Sequence, residues 1–255
     1  MRAVWVIAKN TFQETIRDRV MYNILLFAIF IIAISLVISS WSLSQQVKLV
    51  KDFGLSAMSL FGLLIAIFVG IRLLYQDMER KTIYMLVSKP IRRWQINTGK
   101  YAGLALTVLV NLVVMTISLY IVDFLIEHQL DWGLLSGILL IYFEILLVIG
   151  WAFLFSSFTS PMLSAVLTVL IYIAGHLSPA LKLFTQLHPE NASNKLLLLL
   201  YAILPNLENF NIKTAVVEHL QLPELTVPGA LLYGIAYTGI LLLLTSIILE
   251  KRNFK

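Results

Sequence analysis

Six long apolar runs, separated by short polar punctuation, set the pattern of this chain: residues 22–39, 55–75, 101–122, 132–155, 163–177 and 230–249. At about 1.5 Å per residue, a helix over each of the longer runs covers most of a hydrocarbon layer ~30 Å thick. The fifth run is the shortest. Ahead of the first, residues 3–20 follow a different period. Val4, Trp5, Ala8, Thr11, Phe12, Thr15 and Ile16 share one helical face, with Lys9, Asn10, Gln13, Glu14 and Arg17 opposite. Such a helix lies flat at a membrane surface, with Trp5, Phe12 and Ile16 as its interfacial anchors. Residues 178–229 form the longest stretch that does not span. Within it the nine-residue run LLLLLYAIL at 196–204 is too short to cross. It is either a re-entrant or interfacial helix or the core of a small external subdomain. Residues 206–222 read as a second short helix stopped by Pro223. The pattern predicts an all-α polytopic membrane protein with six transmembrane helices. It has no internal repeat or linker, so one domain is expected over 1–255, with an interfacial helix at 1–21, a polar loop at 76–100 and an external segment at 178–229.

Composition agrees with this. The chain is 59% hydrophobic and 13% charged, about half the charge of a soluble globular domain. A net charge of +5 might suggest nucleic acid, but a basic patch for that purpose needs a soluble fold to display it. Here the charge is topological. The six-span arrangement gathers 14 Lys and Arg on one side and leaves 5 on the other. By the positive-inside rule both termini and the 76–100 loop face the cytoplasm. The turn at 123–131 carries three acids and no Lys or Arg, as an outside loop should. No cleavable signal is expected, because the first apolar run begins only near Tyr22. Absence of Cys excludes disulfides, thiolate metal sites and Cys nucleophiles.

The densest charge outside the first 20 residues falls between the second and third runs, in YQDMERKTIYMLVSKPIRRWQINTGKY at 75–101. Arg80, Lys81, Lys89, Arg92, Arg93 and Lys100 stand there, with Arg72 just ahead of them, against Asp77 and Glu79. Pro90 cannot donate a backbone hydrogen bond and biases Lys89 away from helix, which gives the loop a fixed bend. Positive-inside anchoring accounts for Arg92, Arg93 and Lys100. It does not account for Met85, Leu86, Ile91 and Trp94, which an idle loop has no reason to carry. A bent, charged and partly apolar segment suits docking.

This stretch, read as E-R-K-T…L-V-S-K-P-I-R-R-W-Q…G-K-Y, resembles the ABC-2 type transporter permeases, the membrane subunits of type V ABC exporters. It is most similar to the stand-alone group that includes the permease of copper-enzyme maturation systems. The likeness extends over the whole chain, through a lateral N-terminal helix, six spans, a coupling helix between spans two and three, and re-entrant helices before span six. The resemblance implies that Asp77, Glu79, Arg80, Lys89, Pro90, Arg92, Arg93 and Trp94 contact a separate ATPase subunit. The short turn at 156–161 would make a minor second contact. It also implies a complex of two ATPase copies with two permease copies in the plasma membrane, and ATP and Mg bound in the partner rather than in this chain. The run LPNLENFN at 204–211 also looks familiar for this group.

No G-x-x-x-x-G-K-[ST] occurs, so ATP hydrolysis is expected only in a partner. Zinc-protease and hydrolase motifs are likewise missing from the sequence. Glu144 is the acid deep within a span, where a charge costs about 2.5 to 3.5 kcal/mol on insertion scales. It marks a pathway, or it faces a polar neighbour such as Asn111, Thr116 or Thr168. His176 and His128 read as polar surface. Two other functions compete with an exporter permease: a secondary transporter or channel, and a membrane scaffold for assembly of another protein. A secondary transporter normally gathers several polar groups at the midplane. The substrate is not legible.

Overall fold

A computed structural model describes residues 2–39, 45–79, 92–187, 194–221 and 223–251. Among these it is helical without strands: α1 Arg2–Ile16, α2 Arg19–Ser39, α3 Gln46–Ile65, a π-helical turn Ala66–Gly70, α4 Ile71–Glu79, α5 Arg93–Glu127, α6 Leu134–Ser156, α7 Pro161–Leu187, α8 Asn194–Ile203, a 3-10 turn Leu207–Phe210, α9 Lys213–Val217 and α10 Thr226–Lys251. Six helices are long and apolar enough to cross a membrane, the second formed by α3, the π turn and the start of α4 as one continuous rod. Within their most apolar windows, spans two and four are 78% buried and the other four only 22–39%. Spans two and four therefore form the core of the bundle, and the rest present apolar side chains outward.

The boundaries differ from the sequence pattern at three places, each for a polar reason. Span two begins at Gln46 rather than near residue 55, so Lys48, Lys51 and Asp52 lie on helix instead of in a loop. Lys51 is only 1% exposed. Its Nζ donates to Glu127 Oε2 at 2.8 Å and Asp131 Oδ2 at 2.9 Å, with Asp123 Oδ1 at 3.9 Å. Span three starts at Arg93, where Arg92 is extended (φ −73°, ψ 144°) and exchanges two bonds with Gln95: Arg92 N–H donates to Gln95 Oε1, and Gln95 N–H to Arg92 O. It ends where the His128 backbone turns left-handed at φ 54° and returns its N–H to Phe124 O. That closure is common at helix C-termini, though usually made by Gly.

Span five continues past residue 177 to Leu187, straight through Pro179. A proline there cannot bond the carbonyl four residues back. Ser178 Oγ donates to that carbonyl, Gly175 O, at 2.9 Å, and the helix survives. The expected non-spanning stretch from 178 is accordingly shorter by ten residues.

Helix α1 is laid along the first turns of α5. Gly99 and Gly103, one turn apart, make the contact possible. A Cβ on Gly103 would lie 2.5 Å from Ala8 O and one on Gly99 2.8 Å from Ile7 Cβ. Small residues at this spacing let helix backbones approach closely. Ala8, Thr11 and Thr15 are buried in that contact, Phe12 and Ile16 are half-buried, and Trp5 stays 65% exposed. The face read as interfacial thus divides, one strip packing on protein and Trp5 left exposed. The turn after α1 is set by Asp18, whose Oδ1 accepts from Val20 N–H at 3.0 Å and caps α2.

The segment before span six folds back among the spans. Leu207 and Phe210 of the 3-10 turn are fully buried, Leu207 so close to Gly175 that a Cβ there would meet its Cγ at 2.7 Å. Tyr233 and Tyr237 of α10 hold it, by hydrogen bonds from Asn206 N–H to Tyr233 Oη (2.9 Å) and from Tyr237 Oη to Ile203 O (2.8 Å). Of the two readings of LLLLLYAIL, the packing corresponds to a re-entrant segment that ends in a buried turn. Where one short helix was expected over 206–222, the chain forms a 3-10 turn followed by α9.

Candidate functional site

Polar groups inside the bundle fall on three levels. At the basic end, where α1, α4 and the start of α5 meet, Lys100 Nζ donates to Leu73 O at 2.8 Å. Arg93 Nη1 donates to Leu249 O of α10, and Arg72 Nη1 pairs with Asp18 Oδ2 at 2.8 Å. These contacts tie spans one, two, three and six together at the mouth of the 76–100 loop. Leu249 lies in the last turn of α10, so Arg93 meets a bare carbonyl at the negative end of that helix dipole.

At the acidic end Lys51 holds spans two and three and the following turn through its three carboxylates. Asp131 also accepts from Gly133 N–H at 2.9 Å and lies 3.8 Å from His219 Nε2. Lys48 pairs with Glu218 just after α9, so the re-entrant segment is fastened to the same corner. Lys51 and Arg72 are 21 residues apart on one helix, about 31 Å. That matches the ~30 Å hydrocarbon thickness, so the two polar levels mark its edges.

Between them lies Glu144, 1% exposed and ten residues into α6, or about 15 Å from its start. His176 Nε2 is 3.4 Å from Glu144 Oε1, and His176 Nδ1 is 3.2 Å from Tyr172 O on its own helix. With an Nδ1 proton given to that carbonyl, Nε2 of a neutral ring faces the carboxylate as a second acceptor. Tyr172 packs its ring on His176 (centroids 4.6 Å apart) and its hydroxyl bonds Ser59 Oγ of α3 at 3.1 Å. Lys213, at the start of α9, feels the charges of Glu144 and Glu208. Burial pushes its ammonium down, and the two carboxylates only partly offset this. The arrangement brings polar side chains of spans two, four and five together around the buried Glu144.

The predicted site residues are distributed unevenly over these levels. Asp77 and Glu79 lie on the last turns of α4. Arg80, Lys89 and Pro90, with the body of the expected coupling segment at 80–91, lie outside the described residues. Arg92 and Trp94 are exposed at the start of α5, while Arg93 is engaged with α10. Glu144 is central. Asn111 is buried but donates to Thr107 O one turn back at 2.8 Å. Thr116 and Thr168 also bond carbonyls of their own helices. The neighbours expected for Glu144 are therefore replaced by His176 and Lys213, and His176, read as surface, is half-buried. Tyr172, Ser59 and Lys51 carried no sequence signal that singled them out. The i, i+4 spacing of Asp123 and Glu127 did place two acids on one helix face.

Comparison with known proteins adds one positive finding. No curated protein sequence matches the chain. Residues 5–253 match the family described as ABC-2 family transporter protein, whose members are permease components that work with an ABC ATPase. A match over nearly the whole length, on six apolar spans, means that the chain belongs to the ABC-2 family of transporter proteins.

Proposed function

We propose that this chain is the permease subunit of a type V ABC exporter, of the group that includes the copper-enzyme maturation permease. Two copies pair with two copies of a separate ATPase, which binds ATP and Mg. The basic end faces the cytoplasm, and residues 77–94 take up the ATPase. Closure of the ATPase pair pushes on that segment and moves spans two and three against the second permease, driving export or flipping of a substrate. The observation that supports this is the double fastening of spans two and three: Lys100 to Leu73 O at one edge, Lys51 to Asp123, Glu127 and Asp131 at the other. Force applied between Glu79 and Arg92 therefore acts on one rigid pair rather than on two independent helices. Outward and inward states each have to be stable, so substrate or nucleotide must bind one of them better.

The test is copurification and ATP hydrolysis of the permease–ATPase pair in lipid. Glu79→Ala with Arg92→Ala is expected to reduce both at least tenfold. Unchanged binding and turnover would remove the docking assignment.

Glu144 with His176 favours a second reading, a transporter driven by an ion gradient. Glu144→Gln separates the two. In the ABC permease it takes a charge from mid-span, so thermal stability in detergent should hold or rise, and transport in proteoliposomes should still require ATP. Uptake without ATP, driven by a pH gradient in the parent and abolished by Glu144→Gln, would reverse the choice.

A further inference from the structure

The elbow between α1 and α2 forms a cleft with the start of α4, about 420 Å³ in volume, whose walls include Glu14, Arg17, Asp18, Arg19, Val69 and Arg72. Asp18 is fully engaged there: one carboxylate oxygen accepts from Val20 N–H and the other pairs with Arg72. Arg17 and Arg19 stand on either side, exposed, and make no hydrogen bond or ion pair with any described residue. Three guanidinium groups against two carboxylates leave the cleft net positive. Arginine presents a planar fork of donors that matches phosphate oxygens.

Its depth and its flank identify the occupant. Arg72 lies at one edge of the hydrocarbon layer, as the 21 residues from Lys51 require. Val20 on the wall of the cleft is exposed and opens span one, whose exposed side chains include Tyr22, Leu26, Phe27 and Phe30. A basic cleft at headgroup level that opens onto apolar side chains has the profile of a phospholipid, charged at one end and hydrocarbon at the other. A soluble protein subunit would meet the arginines but not that apolar flank. We propose that this cleft binds the phosphate headgroup of an anionic phospholipid, with its acyl chains passing Val20 along the exposed side chains of span one. The assignment does not depend on which ATPase or substrate the protein uses.

The experiment is native mass spectrometry of the full chain released from nanodiscs containing equal phosphatidylglycerol and phosphatidylcholine. The parent should retain phosphatidylglycerol preferentially. Arg17→Gln with Arg19→Gln should lower that preference about thirtyfold, from the ~1 kcal/mol that each basic residue contributes near an anionic surface. The thermal unfolding temperature should not change, since neither side chain has a partner among the described residues to lose. Lys9→Gln, on the outer face of α1 and not in the cleft, should leave the preference intact. An equal loss with Lys9→Gln would mean general surface charge and overturn the proposal. Full displacement of the lipid by millimolar inorganic phosphate would overturn it as well, in favour of a free-anion site. So would a double variant that keeps its lipid preference but no longer copurifies with the ATPase, which would make the cleft part of the protein dock.

Discussion

Lys51→Met should lower the unfolding free energy by about 3–5 kcal/mol, the usual cost of leaving a buried charge without its partner. Three carboxylates converge on this one ammonium, and Asp123 is buried with neither oxygen hydrogen-bonded. Their mutual repulsion has no other described lysine or arginine to offset it at that corner, since Lys48 is committed to Glu218. The measurement is thermal unfolding in detergent. Lys51→Met combined with Asp123→Asn should recover part of the loss, because the worst-placed charge is then gone. A single variant as stable as the parent would show that the four groups are not coupled. Acid should loosen the same corner. Burial raises the Asp131 carboxyl, but the bonds from Lys51 and Gly133 outweigh it and hold the group below its usual value of 3.8. A carboxyl lowered by folding stabilises fully above the unfolded value, about 4. That contribution drains away as pH falls through the lower folded value, so the unfolding temperature should drop progressively below about pH 4, and less so in Lys51→Met.

Phe210→Ala is the second substitution with a large expected effect, about 3–5 kcal/mol for a fully buried phenyl ring. Phe210 is enclosed in the re-entrant turn against Tyr233 (ring centroids 6.2 Å apart) and Gly234, where an added Cβ would meet its Cζ at 3.1 Å. The alternative for this segment is water at the acidic end, not lipid, so both the transfer and the cavity terms count. Residues 194–217 should become accessible to protease from that side while the six spans remain folded. Should cleavage and unfolding both stay at parental levels, the turn is not what holds the segment in.

Period and length made the spans legible, since a helix must satisfy its own backbone within lipid and only apolar side chains suit its flanks. What they could not reveal was where polar residues would be tolerated because a distant partner met them. Lys51 read as loop because a charge ends an apolar run; its partners lie more than 70 positions away in the chain. Pro179 and the polar residues after it suggested an end to span five, yet Ser178 supplies the missing donor. Glu144 stood out in the sequence by its depth alone. Its relation to His176 was not, because it depends on how far span five extends and on the return of residues 204–213 into the bundle. The periodicity of α1 was clear, but nothing in the sequence marked Gly99 and Gly103 as the place where Ala8 and Thr11 pack. The 204–211 run, familiar without a chemical role, proves to supply the buried anchors Leu207 and Phe210.

The wide turn at Ala66–Gly70 bears on how this span tolerates changes of length. Each α-helical residue adds about 100° of rotation and 1.5 Å of rise, so losing one from the stretch between Lys51 and Ile65 would swing Arg72 and Leu73 away from Asp18 and Lys100. The π turn already accommodates one residue beyond the α-helical repeat. A deletion inside it would relax that turn to ordinary pitch and leave the helices on either side in phase. Single-residue deletions scanned along the span should therefore be damaging everywhere except across these five positions.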